Sequence, residues 1–456
     1  MKFGWRCLIF FICLITSSCL GGGRQLPDAV QVLGYDEDDI SRRYKVDQQW
    51  WLLYDDAQLD RLMTLALDNN IDLLQSAVTV NRALYRANLL GADLAPEFSA
   101  AWDGSASRNI KSGDPSSVQF TGQVRVQYEI DLWRRLADSA SAQEWEYRAS
   151  RQDLLSARLA LINNVTDTYF NIMYLRSAIE ATGYALGYYE QIKELTQLKY
   201  DKGKVAYVEP AQAVQAVLAS ESNLLDWREQ HKAAEQTMRD LLNLTPGDEL
   251  TLTFVDMHEM KLPEVNLQVP LSVLAARPDV RAAEYRLQSA FKNVQAAEKS
   301  LYPTITVGAA LSSSGERAAA TFDLPFTGGT ISISLPFLQY NRIKWEIAVS
   351  EADFESALLN FTQSVNTALN ELDYYYYSYV SLRESLRKIE EKYDYDLKIA
   401  AYYQARYQAG AGELSDWLNA LNTVMDSKIS ALRCRYQLLR QENMIYKALA
   451  GRYLEL

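Results

Sequence analysis

Between Val118 and Asp131, apolar and polar side chains alternate without a break. Val118, Phe120, Gly122, Val124, Val126, Tyr128 and Ile130 take one face, and Gln119, Thr121, Gln123, Arg125, Gln127, Glu129 and Asp131 the other. A period of two marks a strand with one apolar face. A weaker alternation precedes it, with Phe98, Ala100, Trp102 and Ala106 against Ser99, Asp103, Ser105 and Ser107. Together they predict strands over about 97–108 and 118–131, joined by the turn-forming Lys111-Ser112-Gly113-Asp114-Pro115. Ile305, Val307, Ala309 and Leu311, then Ile331, Ile333 and Leu335, predict a second pair over about 303–313 and 327–336, with Ser312-Ser313-Ser314-Gly315 as the turn.

The rest of the pattern is helical. No proline falls between Leu132 and Glu209, and none follows Pro336. A continuous helix over the first of these runs, as far as residue 202, would be a rod of about 100 Å. The runs break at Lys202-Gly203-Lys204 and at Gly410-Ala411-Gly412, and a shorter helix then returns. In the last one, Leu414, Leu418, Leu421, Met425, Ile429, Leu432, Tyr436 and Leu439 form a stripe suited to coiled packing. Lengths suggest that each long helix is covered half by the returning helix (about 208–242) and half by a helix before the strands (about 58–95 or 277–301). Tyr374-Tyr375-Tyr376-Tyr377 sits in mid-helix, so its rings point in several directions and not all can share one core.

The two halves are copies. Pro96 and Pro303, Arg135 and Arg342, Tyr200 and Tyr407, and Gly203 and Gly410 are each separated by 207 positions. Such landmarks indicate a tandem duplication. The division is repeat one at 58–243, a connector at 244–275 holding Pro246, Pro263 and Pro270, repeat two at 276–450 and a tail at 451–456.

Composition narrows the function. A formal charge of −12 disfavours nucleic acid as a partner. Two histidines and four cysteines in 456 residues leave no His-based metal site and no disulfide scaffold. No phosphate-binding lysine loop, nucleophile elbow or paired-cysteine metal motif is present, so an enzyme is not expected and no catalytic or metal-binding residue is assigned. Residues 1–18 read as a secretory signal, with Lys2 and Arg6 ahead of an apolar core. Thr16-Ser17-Ser18-Cys19 resembles a bacterial lipobox, which makes Cys19 the expected site of a covalent lipid and 19–57 an anchored leading segment. Loss of 1–18 removes two basic residues and moves the charge from −12 to −14. Cys434 then remains as a helix filler.

Strands with one apolar face fit a transmembrane barrel, and a soluble sandwich shows the same alternation. Four strands cannot close a water-filled barrel, so several chains must contribute. Phe98, Trp133, Tyr302, Phe337 and Tyr340 at the strand bases suit an interfacial girdle.

Arg277-Pro278-Asp279-Val280-Arg281-Ala282-Ala283-Glu284, Tyr302-Pro303, Tyr128-Glu129-Ile130-Asp131-Leu132-Trp133, Ser334-Leu335-Pro336-Phe337 and Ala405-Arg406-Tyr407-Gln408-Ala409-Gly410 occur in an order that resembles the TolC-like outer-membrane efflux channels, lipoprotein (OprM/NodT-type) branch. The resemblance covers nearly all of the chain after the signal. It implies a mainly α protomer with a small transmembrane β part. Three protomers would form a twelve-stranded barrel in the outer membrane, continuous with an α-helical periplasmic tunnel and ringed by an equatorial belt from the connector and termini. It also implies a periplasmic adaptor and an inner-membrane pump as partners, with drugs, metals or other solutes as cargo. Part of the family serves protein secretion instead, and a periplasmic coiled-coil adaptor is a further alternative.

A conduit needs a constriction that opens. The resemblance places it at the turns 203–209 and 410–416. Asp416 and Asn419 match two positions that carry an acidic ring, and the internal offset makes Glu209 and Gln212 their equivalents. Glu209 and Asp416 are equally readable as acids complementing helix N-termini. Tyr407 matches a tyrosine that latches neighbouring helices in the closed state. Gly412 stands where some members carry a basic latch residue.

Overall fold

The structure, a computed structural model, describes residues 46–108, 117–253 and 271–453, with a few positions of the connector between them. Cys19, the signal segment and the Lys111–Pro115 turn lie outside the described residues. Strand β1 (Val46–Asp47) opens the described chain, followed by helices α1 (Ala57–Asn69) and α2 (Ile71–Ala92) and strands β2 (Glu97–Ser107) and β3 (Ser117–Ile130). Long helix α3 (Arg135–Asp201) and its return α4 (Val208–Leu241) complete the first repeat. The second repeat runs α5 (Pro278–Lys299), β4 (Thr304–Gly315), β5 (Phe326–Ser334), long helix α6 (Tyr340–Gln408) and α7 (Leu414–Ala448), and β6 (Arg452–Tyr453) ends the series.

The four long strands make one antiparallel sheet in the order β2-β3-β4-β5. Its register keeps the apolar residues on one face: Phe98 faces Val126, Tyr128 faces Val307 and Ile305 faces Ile333. The duplication is carried into the ladder. Glu97 pairs with Gln127, and the residues 207 positions on, Thr304 and Ser334, pair in the same way. β5 stops before Pro336, which has no N–H to donate. All of β2 and β5 is exposed in the single chain. The segment Ala318–Phe322 folds back over the sheet, where Thr321 accepts the Trp102 indole N–H at 3.0 Å. A Cβ at Gly122 would meet the Thr321 carbonyl at 2.8 Å, so a glycine is needed beneath it.

At the strand bases Phe98, Trp133, Tyr302, Phe337 and Tyr340 are all exposed. Trp133 packs on Tyr302 with ring centroids 5.0 Å apart, and its N–H reaches the Pro303 carbonyl at 2.9 Å. No described helix is long and apolar enough to cross a membrane.

Long helix α3 is covered at its strand end by its own repeat and by the other, whereas α6 is covered there by its own. α5 packs between α3 and α6. Its basic side chains meet acids on α3: Arg286 on Asp153 and, at 3.5 Å, Glu146; Lys292 on Asp138 at 3.1 Å; Lys299 on Asp138. Burial would raise the Asp138 carboxyl, but the two ammonium groups hold it below its ordinary value. The helix expected over about 58–95 is divided. Asn70 ends α1, accepts the Leu73 N–H that starts α2, and donates its amide to the Leu241 carbonyl closing α4.

The main core lies midway along α3, where both ends of the described chain meet. β1 pairs with β6, and Gly451 (φ 144°) lets them approach, since a Cβ there would collide with the Asp47 backbone. Trp50, fully buried, donates to Asn443 Oδ1 at 2.8 Å, and the Asn443 amide donates to the Asn163 carbonyl at 2.9 Å. In the Tyr374–Tyr377 run, Tyr374 and Tyr377 are exposed, while Tyr375 and Tyr376 pack against this core. Cys434 is buried, with its thiol 3.6 Å from the Leu382 carbonyl.

Glu442 lies in the same core at 1% exposure, hydrogen-bonded by Tyr446. Burial pushes its carboxyl from 4.5 up to about 8. The folded chain therefore holds a proton that the unfolded chain has lost at neutral pH. This group's stabilisation is complete below pH 4.5 and is lost as pH rises through about 8. The thermal midpoint of the purified protein should fall over that window. Glu442→Gln should flatten the fall and raise the midpoint at pH 8, as read by scanning calorimetry across pH.

Candidate functional site at the helix tips

The end remote from the sheet is built twice. α3 and α6 both finish on a glycine with positive φ, Gly203 at 67° and Gly410 at 72°. The Lys204 N–H returns to the Lys199 carbonyl at 2.9 Å, and the Ala411 N–H to the Arg406 carbonyl at 3.0 Å. This reverse-turn cap satisfies the last carbonyls and turns the chain into α4 and α7.

Below these turns lies a second, smaller core. Tyr189 and Ile192 of α3, Ala213 and Val217 of α4, Tyr407 of α6, and Leu414, Trp417 and Leu418 of α7 form it, apart from the main cluster. Tyr407 is its centre. The hydroxyl donates to Glu209 Oε2 at 2.9 Å. The ring takes the Lys199 ammonium 4.0 Å from its centroid and lies 5.4 Å from Trp417. One side chain thus joins four helices: its own, α4 through Glu209, α3 through Lys199 and α7 through Trp417. Burial and the Glu209 carboxylate both raise the Tyr407 pKa, so the phenol remains a donor. Two further bonds tie the hairpins together, Gln404 to the Tyr188 hydroxyl and the Tyr189 hydroxyl to Asn422, both at 2.7 Å.

The sequence-selected residues fall into two groups. Tyr407 and Glu209 meet, and Glu209 is half-buried beneath the phenol. Asp416 and Asn419 are exposed, about one turn apart on α7, and Gln212 is half-buried on α4. Within one chain, then, Glu209 and Asp416 are not equivalent. Lys199, Trp417, Gln404 and Tyr188 were not singled out by sequence. Lys199 precedes Tyr200, the duplicate of Tyr407, and that spacing is the signal that could have found it. Among the described residues no group of three or more His, Cys, Asp or Glu could hold a metal ion.

The model of the family described as outer membrane efflux protein matches residues 62–244 and again 269–451, the same 207-residue offset. Toxin and drug export protein A of Aggregatibacter actinomycetemcomitans is 43% identical over 416 residues, 91% of each chain. Pyoverdine export outer membrane protein OpmQ of Pseudomonas aeruginosa is 27% identical over 456 residues, 98% of this chain and 95% of that one. Among solved structures, the Campylobacter jejuni CmeC outer membrane channel superposes with a TM-score of 0.82 at 20% identity, over 90% of this chain and 89% of that one.

A half-buried hydrogen bond to a carboxylate contributes about 1.5–3 kcal/mol. Tyr407→Phe removes it and leaves the ring contacts. Amide hydrogen exchange should accelerate roughly 10- to 100-fold in peptides spanning 199–215 and 404–420, with exchange around Trp50 and Asn443 unchanged.

Proposed function

The chain belongs to the outer membrane efflux protein family and is a channel of the outer membrane, not an enzyme; from that premise we propose that it works as a gated passive conduit, three copies to a channel. It receives cargo from an inner-membrane pump through a periplasmic adaptor. Family members are trimeric channels of tripartite efflux systems. For this chain, the observation that carries the reading is the open sheet. β2 and β5 are both edges, and an edge in hydrocarbon must find a strand to pair with.

The duplication supplies that pairing. In the β3–β4 ladder Arg125 faces Ala310, Val126 faces Ala309 and Gln127 faces Gly308. Advancing β3 by 207 gives β5, and moving β4 back by 207 gives β2. Ser332, Ile333 and Ser334 of one chain then face Asp103, Trp102 and Ala101 of the next. The carried-over register puts apolar Ile333 against apolar Trp102, and polar Ser332 against Asp103. The same operation brings α2 of one chain onto α6 of its neighbour, covering Val78, Tyr85 and Leu89 with Trp345 and Val349, all exposed in the single chain.

Polar faces of the strands line the bore, and the apolar faces meet lipid. A covalent lipid on Cys19 adds a second anchor. The periplasmic tips close the conduit through the Tyr407 cluster, and Asp416 and Asn419, exposed on α7, line its mouth. An open apolar groove between α3 and α7, bordered by Tyr184, Ala185, Leu421 and Val424, gives the adaptor a face to grip. A second reading, export of a protein, is favoured by one observation: the 43% identical relative is named for toxin as well as drug export.

Oxidation of a Ser332→Cys/Asp103→Cys variant should give disulfide-linked dimers and trimers, because facing Cα atoms in a ladder lie within disulfide reach. A monomer band alone would remove the trimeric barrel. Trypsin applied to intact cells should cut at exposed Arg317, beyond the end of β4. Deletion of the gene should increase susceptibility to drugs if small molecules are the cargo, and abolish secretion of a protein toxin if protein is.

A further inference from the structure

Resting on the trimeric reading above, we infer that the Tyr407 latch has a duplicate between chains, formed by Tyr200 of one copy with Asp416 and Arg406 of its neighbour. The operation that carries repeat one onto repeat two carries repeat two onto repeat one of the next copy. Under it, each contact between the hairpins of one chain generates a contact between chains, with every residue number shifted by 207. The Tyr407 hydroxyl on Glu209 becomes the Tyr200 hydroxyl on Asp416. The Lys199 ammonium over the Tyr407 ring becomes the Arg406 guanidinium over the Tyr200 ring. The Gln404 amide on the Tyr188 hydroxyl becomes the Gln197 amide on the Tyr395 hydroxyl.

These three roles survive the shift, whereas the ring contact with Trp417 does not, because Trp417 maps onto Pro210. The parent contacts are 2.9, 4.0 and 2.7 Å in the structure. Their duplicated positions still hold a phenol donor, a carboxylate, a cation, a glutamine and a phenol acceptor. Such retention is not general between the repeats. Asp138 and Lys292, an ion pair at 3.1 Å, map onto Trp345 and Tyr85. At the tips, Tyr189 and Asn422 likewise map onto Asp396 and Gln215, so it is these three contacts that the copies have kept.

In the single chain Tyr200, Tyr395 and Asp416 are open, while the Gln197 amide donates to Asp201 Oδ1 at 2.9 Å. Tyr200 is 40% exposed and Tyr395 57%. Asp416 is exposed on the first turn of α7. The Tyr200 ring is steadied by Tyr207, with centroids 5.9 Å apart, as Tyr407 is by Trp417. Arg406 is already fixed at the turn by the Ala411 carbonyl at 2.7 Å. Asp416 is thereby a hydrogen-bond acceptor between copies. The tip ring is closed by two kinds of latch in alternation, one within each chain and one between chains.

The test uses a short bis-maleimide cross-linker on the full-length protein in native membranes, since a phenol and a carboxylate in contact hold their Cα atoms too far apart for a disulfide. The parent chain, with Cys19 and Cys434 intact, is the background. Tyr200→Cys/Asp416→Cys should yield covalent dimers and trimers, while Tyr407→Cys/Glu209→Cys should cross-link within one chain and keep the monomer mass. Unheated electrophoresis reports the trimer separately. A trimer whose Tyr200/Asp416 pair stays at monomer mass overturns the inference and leaves the trimeric reading standing, and absence of any trimer in the parent protein overturns both. Should the paired cysteines prevent assembly, single-channel conductance of Tyr200→Phe, Asp416→Asn and the double variant decides. Each should raise conductance, and the double variant no further than the larger single. Additive effects, or none, overturn the latch.

Discussion

A strand edge inside hydrocarbon has no water to satisfy its N–H and C=O groups, and this constraint organises the molecule. The sheet has four strands and two open edges, β2 and β5. A soluble protein could leave such edges wet. A barrel wall cannot, so the repeat must close on copies of itself. The same closure governs the helices. α5 finds long helices on two sides, α3 and α6, whereas α2, its duplicate, lies against α3 alone in one chain. The exposed Tyr85, Leu89, Trp345 and Val349 are the apolar counterpart of the unpaired strand edges.

Much of this architecture was legible because its signals are periodic. The strict alternation from Val118 to Asp131 could only be one strand. The absence of proline after Pro336, broken by Gly410, could only be two helices and a turn. What stayed hidden depends on contacts between segments far apart in the chain. Asn70 divides α1 from α2 by capping one helix while its amide closes another, α4, whose last carbonyl lies 171 residues away. The β1–β6 pairing joins the two ends of the described chain through two residues each, too short to show any period. The role of α5 as a bridge between repeats is carried by Arg286, Lys292 and Lys299, whose acidic partners on α3 lie 133 to 161 residues away in sequence.

The tips show the limit of reading by duplication alone. Glu209 and Asp416 occupy equivalent positions in two copies, and sequence assigns them one role. In the chain they differ, because Glu209 has the other repeat beside it and Asp416 has only solvent. A duplicated protomer breaks its own symmetry at its boundary, so in the proposed trimer the residues that look idle in one chain are those through which copies meet. Tyr407 was found from its motif. Lys199 and Trp417 were not, since the geometry that brings them to one ring exists only after both hairpins have packed.

The separation of the two cores bears on how such a conduit can open. The main core, around Trp50, Phe170 and Ile445, ties the segment from Trp50 and both repeats into one body. The tip core is a small cluster with its own tyrosine pivot and two glycine turns free of neighbours. Local stability follows buried apolar contact, so the tips can rearrange at a cost far below that of unfolding the body. Interfaces of this size are two-state, with side chains either seated or released. Because Tyr407 touches three other helices, a movement that lifts its ring off Lys199 and Trp417 must also break its bond to Glu209. In the proposed opening the movement is therefore concerted: the end of α6 leaves with α7 or stays with it, and the long helices above remain a fixed wall.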